Sequence, residues 1–577
     1  MKGRFLVVLA TSIAMALSAA AALPDPVSPD ALAGLWKAKR WFEPNVRGTL
    51  IIQRNGDSYT ADIAGRVVPV TANGPELSFR LPNGQGSFRG KLATGAILGH
   101  WYDPDASPVR LRAARPNQWI GAVESKEITF TIYLLVRKRP DGTLGVIVDN
   151  PERDWGARLR VDSLAREGNV VKLTGAREAI TGTYDAKNDV ITFAFPDNGG
   201  TFDFSRDGDE SDFYLRGKNP SRYVYRRPPV LDDGWATESP QDAGIDRAAL
   251  EAMIQMLIDR PMDSIDTPVV DALLIARHGK LVLEEYFRGM DRERTHTLRS
   301  AQKSLVSILA GAVMQAGAPL SVSSPVYKVM NSGTFPADLE PRKRAMTLEH
   351  LLTMTSGTAC DDWNDKAPYT EDSMWQNQEN EPDFYRYALN FSMARDPGEK
   401  PVYCSATANL ALGMIGRAAG ESPLDLFDRL VARPMKIDRY LWPMNRAGQP
   451  CGGGGAGFTA RDFLKFGQLM LDGGTWNGRR ILSRDFATRA SSPLYLFLPA
   501  SADRPARHYG YLWWSLEYPY KGGTVRAFYA GGAGGQALVV IPQLDTVIAT
   551  FGANYVSAGT YYVQLDVIPK HVLPAVR

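Results

Sequence analysis

The chain has 577 residues, of which 44% are hydrophobic and 22% charged, and its formal net charge is +3. A single hydrophobic core rarely organises a chain of this length, so we expect two or three domains. The composition is that of an ordinary soluble globular protein. The net charge is small and no long basic run occurs, so nothing favours nucleic acid as a partner.

The N-terminal residues have the pattern of a secretory signal peptide. Lys2 and Arg4 form a charged start, and the apolar run from Phe5 to Leu17 is short for a membrane-spanning helix. Small residues before Pro24 offer cleavage positions. We therefore predict a signal peptide over residues 1–22 and a periplasmic or secreted protein with no membrane span after cleavage. An uncleaved membrane anchor is the alternative.

Residues 23–231 consist of short alternating runs separated by tight turns. The run 190–195 alternates in this way, and Asn-Gly pairs such as Asn55-Gly56 are typical of hairpin turns. Hardly any helical periodicity occurs in this region. We predict an all-β accessory domain, a barrel or sandwich of roughly ten strands.

Four tryptophans of the predicted β domain are candidates for binding a ligand, a glycan or a partner. They are Trp36, Trp41, Trp101 and Trp119. Large aromatic side chains mostly fill cores, so we expect these residues to pack inside the barrel.

Residues 232–577 change to a mixed pattern. Helical periodicity over 248–257 is followed by two strand-like runs, then by helices from 300 to about 490, and strands return from 509 to 554. The implied fold class is α+β, an antiparallel sheet split by a helical subdomain.

Ser300 and Lys303 form a Ser-x-x-Lys motif at the start of an apolar helical stripe. Residues i and i+3 share a helix face, so the lysine amine can reach the serine hydroxyl. Free N–H groups at a helix N-terminus can face an incoming carbonyl oxygen. The motif therefore indicates a nucleophile, its base and half of an oxyanion hole. The alternative is a capping serine beside a solvated lysine.

Three later segments accompany this motif. In residues 347–357, Thr347 is expected to cap a short helix and His350 to be a buried polar contact. Tyr403 lies between a Pro-Gly turn and another helix, where a phenol could relay a proton to a leaving group. A glycine-rich run opens a helix over residues 452–467.

Together these segments resemble the serine β-lactamase, penicillin-binding-protein and esterase superfamily, from Trp235 to the end of the chain. Residues 300–303 match its nucleophile motif, and 347–357 is similar to its helix-and-turn signature. Residues 403–405 stand where its Tyr-x-Asn motif belongs, and 452–467 resembles its glycine-rich helix start. The resemblance implies a β-lactamase-like fold and an acyl-transfer activity.

Two departures from the family pattern bear on the substrate. Ser405 replaces the usual asparagine, and the third motif, Ala530-Gly531-Gly532, lacks the usual basic residue. That basic residue helps to hold the carboxylate of a β-lactam or of a terminal D-alanine. The pattern most resembles the 6-aminohexanoate-dimer hydrolase branch and related esterases.

The resemblance implies a role for each matching residue. Ser300 attacks, Lys303 takes its proton, and Tyr403 passes a proton to the departing amine or alkoxide. No metal or cofactor is required by this scheme.

The same resemblance implies the substrate-binding positions. One oxyanion donor is the N–H of Ser300, and the second is that of Ala533, with Gly535 as the alternative. Gly532 and Ser405 are expected beside the substrate.

We therefore expect an exported serine hydrolase that cleaves carboxylic esters or small linear amides through an acyl-enzyme on Ser300. The alternatives are a β-lactamase or D-alanyl-D-alanine carboxypeptidase, and a catalytically silent binding or sensor protein. The expected partner is a small-molecule substrate, and the oligomeric state is not indicated.

Two features of the sequence stay open. Trp513 and Trp514 either line the acyl pocket or pack in the core. Cys360, Cys404 and Cys451 allow one disulfide, whose pairing the sequence does not fix.

Overall fold

The structure is a computed structural model that describes residues 29–577 except 42–45, 125–128, 153–158, 177–178, 197–199 and 556–558. The predicted signal peptide, residues 1–22, lies outside the described residues. No helix of the described part is long and apolar enough to cross a bilayer.

Two closed antiparallel barrels of eight strands each occupy the N-terminal part of the described chain. The strands of the first barrel are β1 (Gly34–Trp41), β10 (Thr129–Lys138), β11 (Leu144–Asp149), β12 (Val161–Glu167), β13 (Val170–Gly175), β14 (Ala179–Asp185), β15 (Val190–Phe195) and β16 (Gly200–Arg206). The strands of the second barrel are β2 (Gly48–Asn55), β3 (Ser58–Ile63), β4 (Arg66–Asn73), β5 (Glu76–Arg80), β6 (Ser87–Ala93), β7 (Ala96–Asp103), β8 (Asp105–Arg115) and β9 (Gln118–Val123).

The second barrel is inserted into the first. β1 pairs with both β10 and β16, so all eight strands of the second barrel lie in sequence between two neighbouring strands of the first. The predicted all-β region is confirmed, but the strands exceed the ten expected. Turn signals are local, and they do not reveal which strands close a sheet.

The barrel interiors are packed with side chains. Trp36 is fully buried in the first barrel and Trp101 in the second, as the sequence predicts for core aromatics. Trp119 is partly buried against the second core. Trp41 differs, because it is 56% exposed at the end of β1.

The remaining chain forms one large sheet flanked by helices. Its order is β17-β19-β18-β30-β29-β28-β27-β26-β25, and only β17 pairs in parallel among the described strands. The strands are β17 (Ala236–Thr237), β18 (Ala272–Arg277), β19 (Lys280–Tyr286), β25 (Tyr495–Leu498), β26 (Arg507–Tyr509), β27 (Trp514–Tyr520), β28 (Gly523–Gly532), β29 (Gln536–Ile541) and β30 (Thr546–Phe551). Two small sheets contain β20 (His296–Thr297), β21 (Tyr440–Leu441) and β22 (Gly457–Phe458), and β23 (Thr475–Trp476) and β24 (Arg479–Arg480).

Nine of the eleven described α-helices lie in the long connection between β19 and β25. The described α-helices are α1 (Arg247–Ile258), α2 (Lys303–Gln315), α3 (Val326–Met330), α4 (Pro341–Ala345), α5 (Leu348–Leu352), α6 (Glu371–Asn377), α7 (Ser405–Ala419), α8 (Pro423–Phe427), α9 (Ala460–Leu471), α10 (Arg484–Ala490) and α11 (Leu573–Ala575). Of these, α1 precedes β18 and α11 follows β30. β18 pairs with β30, so the sheet is split in sequence by the helices. The predicted α+β architecture is confirmed.

Both barrels contact this larger domain. Arg288 forms an ion pair with Asp149 of the first barrel. In the second barrel, Ala106 and Trp442 exchange two backbone hydrogen bonds of 2.8 Å, and His100 Nε2 lies 2.8 Å from the Tyr440 hydroxyl. These polar contacts join each barrel to the domain that carries the candidate site.

Candidate active site

Ser300 lies in the 3-10 turn Arg299–Gln302, which runs directly into α2. Side chains at i and i+3 eclipse each other in such a turn. The Lys303 amine accordingly donates a hydrogen bond to Ser300 Oγ at 3.0 Å. Lys303 is only 1% exposed, so the predicted base is shielded from bulk water, whereas the predicted nucleophile, Ser300, is partly exposed.

The residue before the predicted nucleophile has a strained backbone. Arg299 adopts φ +49°, in the left-handed region that side chains other than glycine rarely occupy. Its carbonyl accepts a hydrogen bond from the Gly455 N–H at 3.2 Å, and its guanidinium lies 4.8 Å from the centre of the Tyr555 ring. Its Nη2 also donates to the Glu152 carbonyl of the first barrel at 3.4 Å. Contacts from three segments therefore hold the turn that presents Ser300.

The glycine-rich segment supplies the second partner of the lysine. Lys303 Nζ donates to the carbonyl of Gly453 at 2.5 Å. Asn409 Oδ1 fixes that segment by accepting the N–H groups of Gly452 and Gly453 at 2.7 and 2.8 Å. A Cβ atom on Gly452 would lie 2.7 Å from the carbonyl oxygen of Ala408, so this close approach requires glycine.

Gln302 forms hydrogen bonds with both ends of the same glycine-rich segment. Its amide nitrogen donates to the carbonyl of Cys451 at 2.5 Å, and its amide oxygen accepts the Ala456 N–H at 2.7 Å. Sequence reasoning missed both Gln302 and Asn409 as positioning residues. In the sequence, the only signal for Gln302 is its place inside the Ser-x-x-Lys motif. In the structure its amide is fully buried, and a buried amide requires hydrogen-bond partners.

Tyr403 lies against both predicted catalytic side chains. Lys303 Nζ is 4.9 Å from the centre of the tyrosine ring. Burial raises the pKa of Tyr403, and the nearby Lys303 and a hydrogen bond with Ser300 oppose that rise only in part. The hydroxyl therefore keeps its proton at neutral pH and is available as a donor.

A disulfide and two hydrogen bonds, which we call the tyrosine clasp, surround Tyr403. Cys360 and Cys404 form the disulfide, with their Cα atoms 5.7 Å apart. The Asp362 N–H donates to the carbonyl of Tyr403 at 2.8 Å, and the N–H of Ser405 donates to Asp362 Oδ2 at 2.7 Å. Together they fix the backbone on both sides of the tyrosine.

The clasp also accounts for a cluster of possible metal ligands. Ligand atoms of Cys360, Asp362 and Cys404 lie within 4.8 Å of one another, but the two sulfurs are bonded to each other.

Burial raises the pKa of the Asp362 carboxyl to about 6, and the nearby charge of Lys303 opposes that rise only in part. The third cysteine, Cys451, is buried outside the disulfide.

The end of β28 packs directly on the nucleophile turn. A Cβ atom on Gly532 would lie 2.3 Å from the carbonyl oxygen of Leu298 and 3.1 Å from the Ala301 nitrogen, so only glycine fits. Ala533 follows in an exposed turn, and its carbonyl accepts a hydrogen bond from Gln536 Nε2 at 3.2 Å. The predicted third motif therefore lies beside Ser300.

The other predicted binding residues lie deeper. Ser405 is fully buried as the first residue of α7. Gly535 lies within the turn after Ala533, and its carbonyl accepts the hydroxyl of Thr550 at 2.9 Å.

Aromatic rings line one side of Tyr403. The ring of Trp363 is stacked on it at 5.1 Å, and that of Trp514 lies at 5.9 Å. Phe497 meets the Trp363 ring edge-on at 5.3 Å. Trp513 instead packs in the core, so the two neighbouring tryptophans of the sequence have different surroundings.

The segment 347–357 forms a short capped helix and the turn after it, as its sequence predicts. Thr347 caps α5, and its N–H donates to His350 Nδ1 at 3.1 Å. Burial lowers the pKa of His350, which favours the neutral ring that accepts this bond.

The fold and the Ser-Lys-Tyr arrangement define a serine hydrolase of the β-lactamase type. The chain belongs to the beta-lactamase family, whose sequence model matches residues 256–553, just over half of the chain.

Among characterised relatives, the chain is similar to the 6-aminohexanoate-dimer hydrolase of Paenarthrobacter ureafaciens. The two are 24% identical over 342 residues, which cover 57% of this chain and 81% of the relative.

The chain is also similar to solved structures over just over half of its length. EstCE1, a hydrolase with promiscuous acyltransferase activity, is 18% identical with a TM-score of 0.43, and the match covers 57% of this chain and 98% of that one. A penicillin-binding protein homologue from Caulobacter crescentus is 14% identical with a TM-score of 0.42, covering 54% and 93%.

Proposed function

We propose that the protein is an exported serine hydrolase that cleaves carboxylic esters or small linear amides through an acyl-enzyme on Ser300. The observation that carries this proposal is the 3.0 Å contact between Lys303 Nζ and Ser300 Oγ, with Tyr403 packed against the lysine. A buried amine next to a hydroxyl is the arrangement that activates a serine nucleophile.

The reaction follows from these positions. Ser300 Oγ attacks the substrate carbonyl carbon while the amine of Lys303 acts as the base that accepts the hydroxyl proton. The N–H groups of Ser300 and Ala533 stabilise the resulting oxyanion. Tyr403 donates a proton to the leaving alkoxide or amine as the tetrahedral intermediate collapses, and the adjacent Lys303 returns the serine proton to the tyrosine. Water then attacks the acyl-enzyme and releases the acid.

The third motif supports esters and linear amides over β-lactams. Its first residue, Ala530, is buried and uncharged, so no basic side chain at that position can bind a substrate carboxylate. The name of the Paenarthrobacter relative, a hydrolase of an aminohexanoate dimer, agrees with a linear amide as one substrate.

Export is supported by two independent features. The N-terminal segment has the charged start and apolar run of a signal peptide. The disulfide between Cys360 and Cys404 is of a kind that persists mainly in oxidising compartments such as the periplasm.

A substrate panel tests the proposal. Wild-type protein and the Ser300→Ala variant are assayed with 4-nitrophenyl acetate, the linear 6-aminohexanoate dimer and nitrocefin, a β-lactam. We expect the wild type to cleave the ester and the linear amide at least about 100-fold faster than nitrocefin. Loss of the nucleophile should lower both activities by about a thousandfold or more.

Ser307→Ala is the matched control, because this serine is buried on the same helix, α2, and its hydroxyl has no partner within the described residues. It should retain wild-type activity. Undiminished cleavage by folded Ser300→Ala would contradict the proposal, and preferential cleavage of nitrocefin would favour the β-lactamase alternative. Binding without turnover of any substrate would favour the silent binding protein.

A further inference from the structure

Trp363 is an exposed aromatic residue whose ring stacks on that of Tyr403, the predicted proton donor. Its side chain is 52% exposed, whereas the two rings beneath it, Tyr403 and Trp514, are only 7% and 8% exposed. The Trp363 ring is tilted by 8° from the Tyr403 ring and by 12° from the Trp514 ring, at centroid distances of 5.1 and 6.1 Å. One indole therefore covers both buried rings and presents a flat apolar surface beside the site.

The loop that carries the indole, residues 361–368, is closed at its base. Cys360 is bonded to Cys404, and the Asp361 N–H donates to the carbonyl of Tyr369 at 2.9 Å. Asp362 adds the two hydrogen bonds of the tyrosine clasp. The indole is thus tied to the same backbone that positions the tyrosine, and its place does not depend on ring stacking alone.

A further aromatic ring borders the indole. Phe497, on the neighbouring strand β25, meets it edge-on at 5.3 Å and is itself partly exposed. Binding sites for small molecules are lined mainly by such hydrophobic and aromatic groups, with a few polar groups that fix orientation. Flat rings gain stacking energy on an aromatic face beyond the gain from buried area.

We propose that Trp363 is a specificity-determining residue that binds a flat apolar group on the leaving-group side of the scissile bond. The assignment to the leaving-group side rests on the proposed function, in which Tyr403 gives its proton to the leaving group. A ring attached to the departing oxygen or nitrogen would lie next to the tyrosine hydroxyl and reach the exposed indole.

Three esters separate this role from a general effect on activity. Benzyl acetate and ethyl acetate yield the same acetyl-enzyme and expel alkoxides, but only the first carries a ring on the leaving group. Ethyl phenylacetate carries its ring on the acyl side. The proteins compared are the wild type, Trp363→Ala, Trp363→Phe and the control Trp41→Ala, which removes a similarly exposed tryptophan from the first barrel.

We expect Trp363→Ala to lower kcat/KM for benzyl acetate about five- to tenfold, the range that one aromatic contact supplies. For ethyl acetate and ethyl phenylacetate, the loss should stay below about twofold. Trp363→Phe should restore most of the benzyl preference, and Trp41→Ala should leave all three values unchanged. Thermal unfolding of each variant checks that it is folded.

Two results would overturn the inference while leaving the proposed function intact. Equal losses on benzyl and ethyl acetate would mean that the indole only supports Tyr403. A loss confined to ethyl phenylacetate would place the ring on the acyl side. Failure of the wild type to cleave any of the three esters would also overturn the inference, whereas the separate panel of 4-nitrophenyl acetate, the linear amide and nitrocefin decides the proposed function.

Discussion

Tyr403 combines burial with a position next to the predicted nucleophile and base. Its raised pKa arises mainly from burial, so the phenol stays protonated at neutral pH and can donate to a leaving group. An amine is a much poorer leaving group than an activated phenolate. Proton donation by Tyr403 should therefore contribute more to the rate of amide cleavage than to the rate of cleavage of an activated ester.

We predict that Tyr403→Phe impairs amide cleavage far more than ester cleavage. With 4-nitroacetanilide, kcat/KM should fall by about a hundredfold or more, the usual contribution of a positioned acid, whereas 4-nitrophenyl acetate should lose about tenfold or less. Tyr509→Phe is the control, because this tyrosine is also fully buried and packs on Trp514 at 4.6 Å. Equal losses on the two substrates would contradict a proton-donor role.

At the residue scale, the sequence indicated the residues that form motifs but not those that position them. Ser300 and Lys303 are three positions apart, and helical geometry alone brings their side chains together. Asn409 and Asp362 act on loops that are more than 40 residues away in the chain. Local patterns carry no information about such partners, and an isolated asparagine or aspartate has many surface roles.

At the scale of elements, the tyrosine clasp ties the loop after α5 to the start of α7. The disulfide spans 44 residues, and cross-links over loops of this length typically contribute about 2–4 kcal/mol to the free energy of unfolding. It also joins the backbone next to Tyr403 to the loop that carries Trp363.

We predict that the double variant Cys360→Ala, Cys404→Ala unfolds at a temperature lower by several degrees, as a loss of about 2 kcal/mol would produce. Its kcat for 4-nitroacetanilide, the substrate that depends most on the Tyr403 proton, should fall about tenfold, because the tyrosine backbone loses one of its restraints. Cys451→Ala controls for the loss of a buried cysteine outside the disulfide. A double variant with wild-type unfolding temperature and kcat would contradict this role of the clasp.

The barrels show what sequence patterns miss at this scale. Alternation and Asn-Gly turns correctly indicated strands before residue 206, because both signals are local. The pairing of β1 with β16 joins residues about 170 positions apart, with a complete second barrel between them. Nothing in the turn pattern distinguishes this insertion from one larger barrel.

At the scale of the whole molecule, the first barrel reaches the nucleophile turn. The Glu152 carbonyl accepts a hydrogen bond from Arg299, the strained residue before Ser300. Arg288 lies between Asp149 of the barrel and Asp271, which precedes β18, and its charge compensates the partly exposed carboxylate of the first and the buried carboxylate of the second. The accessory barrel is thus in physical contact with the segment that presents the nucleophile.

Intact mass after treatment with a fluorophosphonate probe tests the central claim, that Lys303 activates Ser300, most directly. We predict one adduct per wild-type chain, no adduct on Ser300→Ala, and labelling of folded Lys303→Ala slowed by at least about a hundredfold. An adduct that persists on Ser300→Ala, or wild-type labelling rates in Lys303→Ala, would contradict the account.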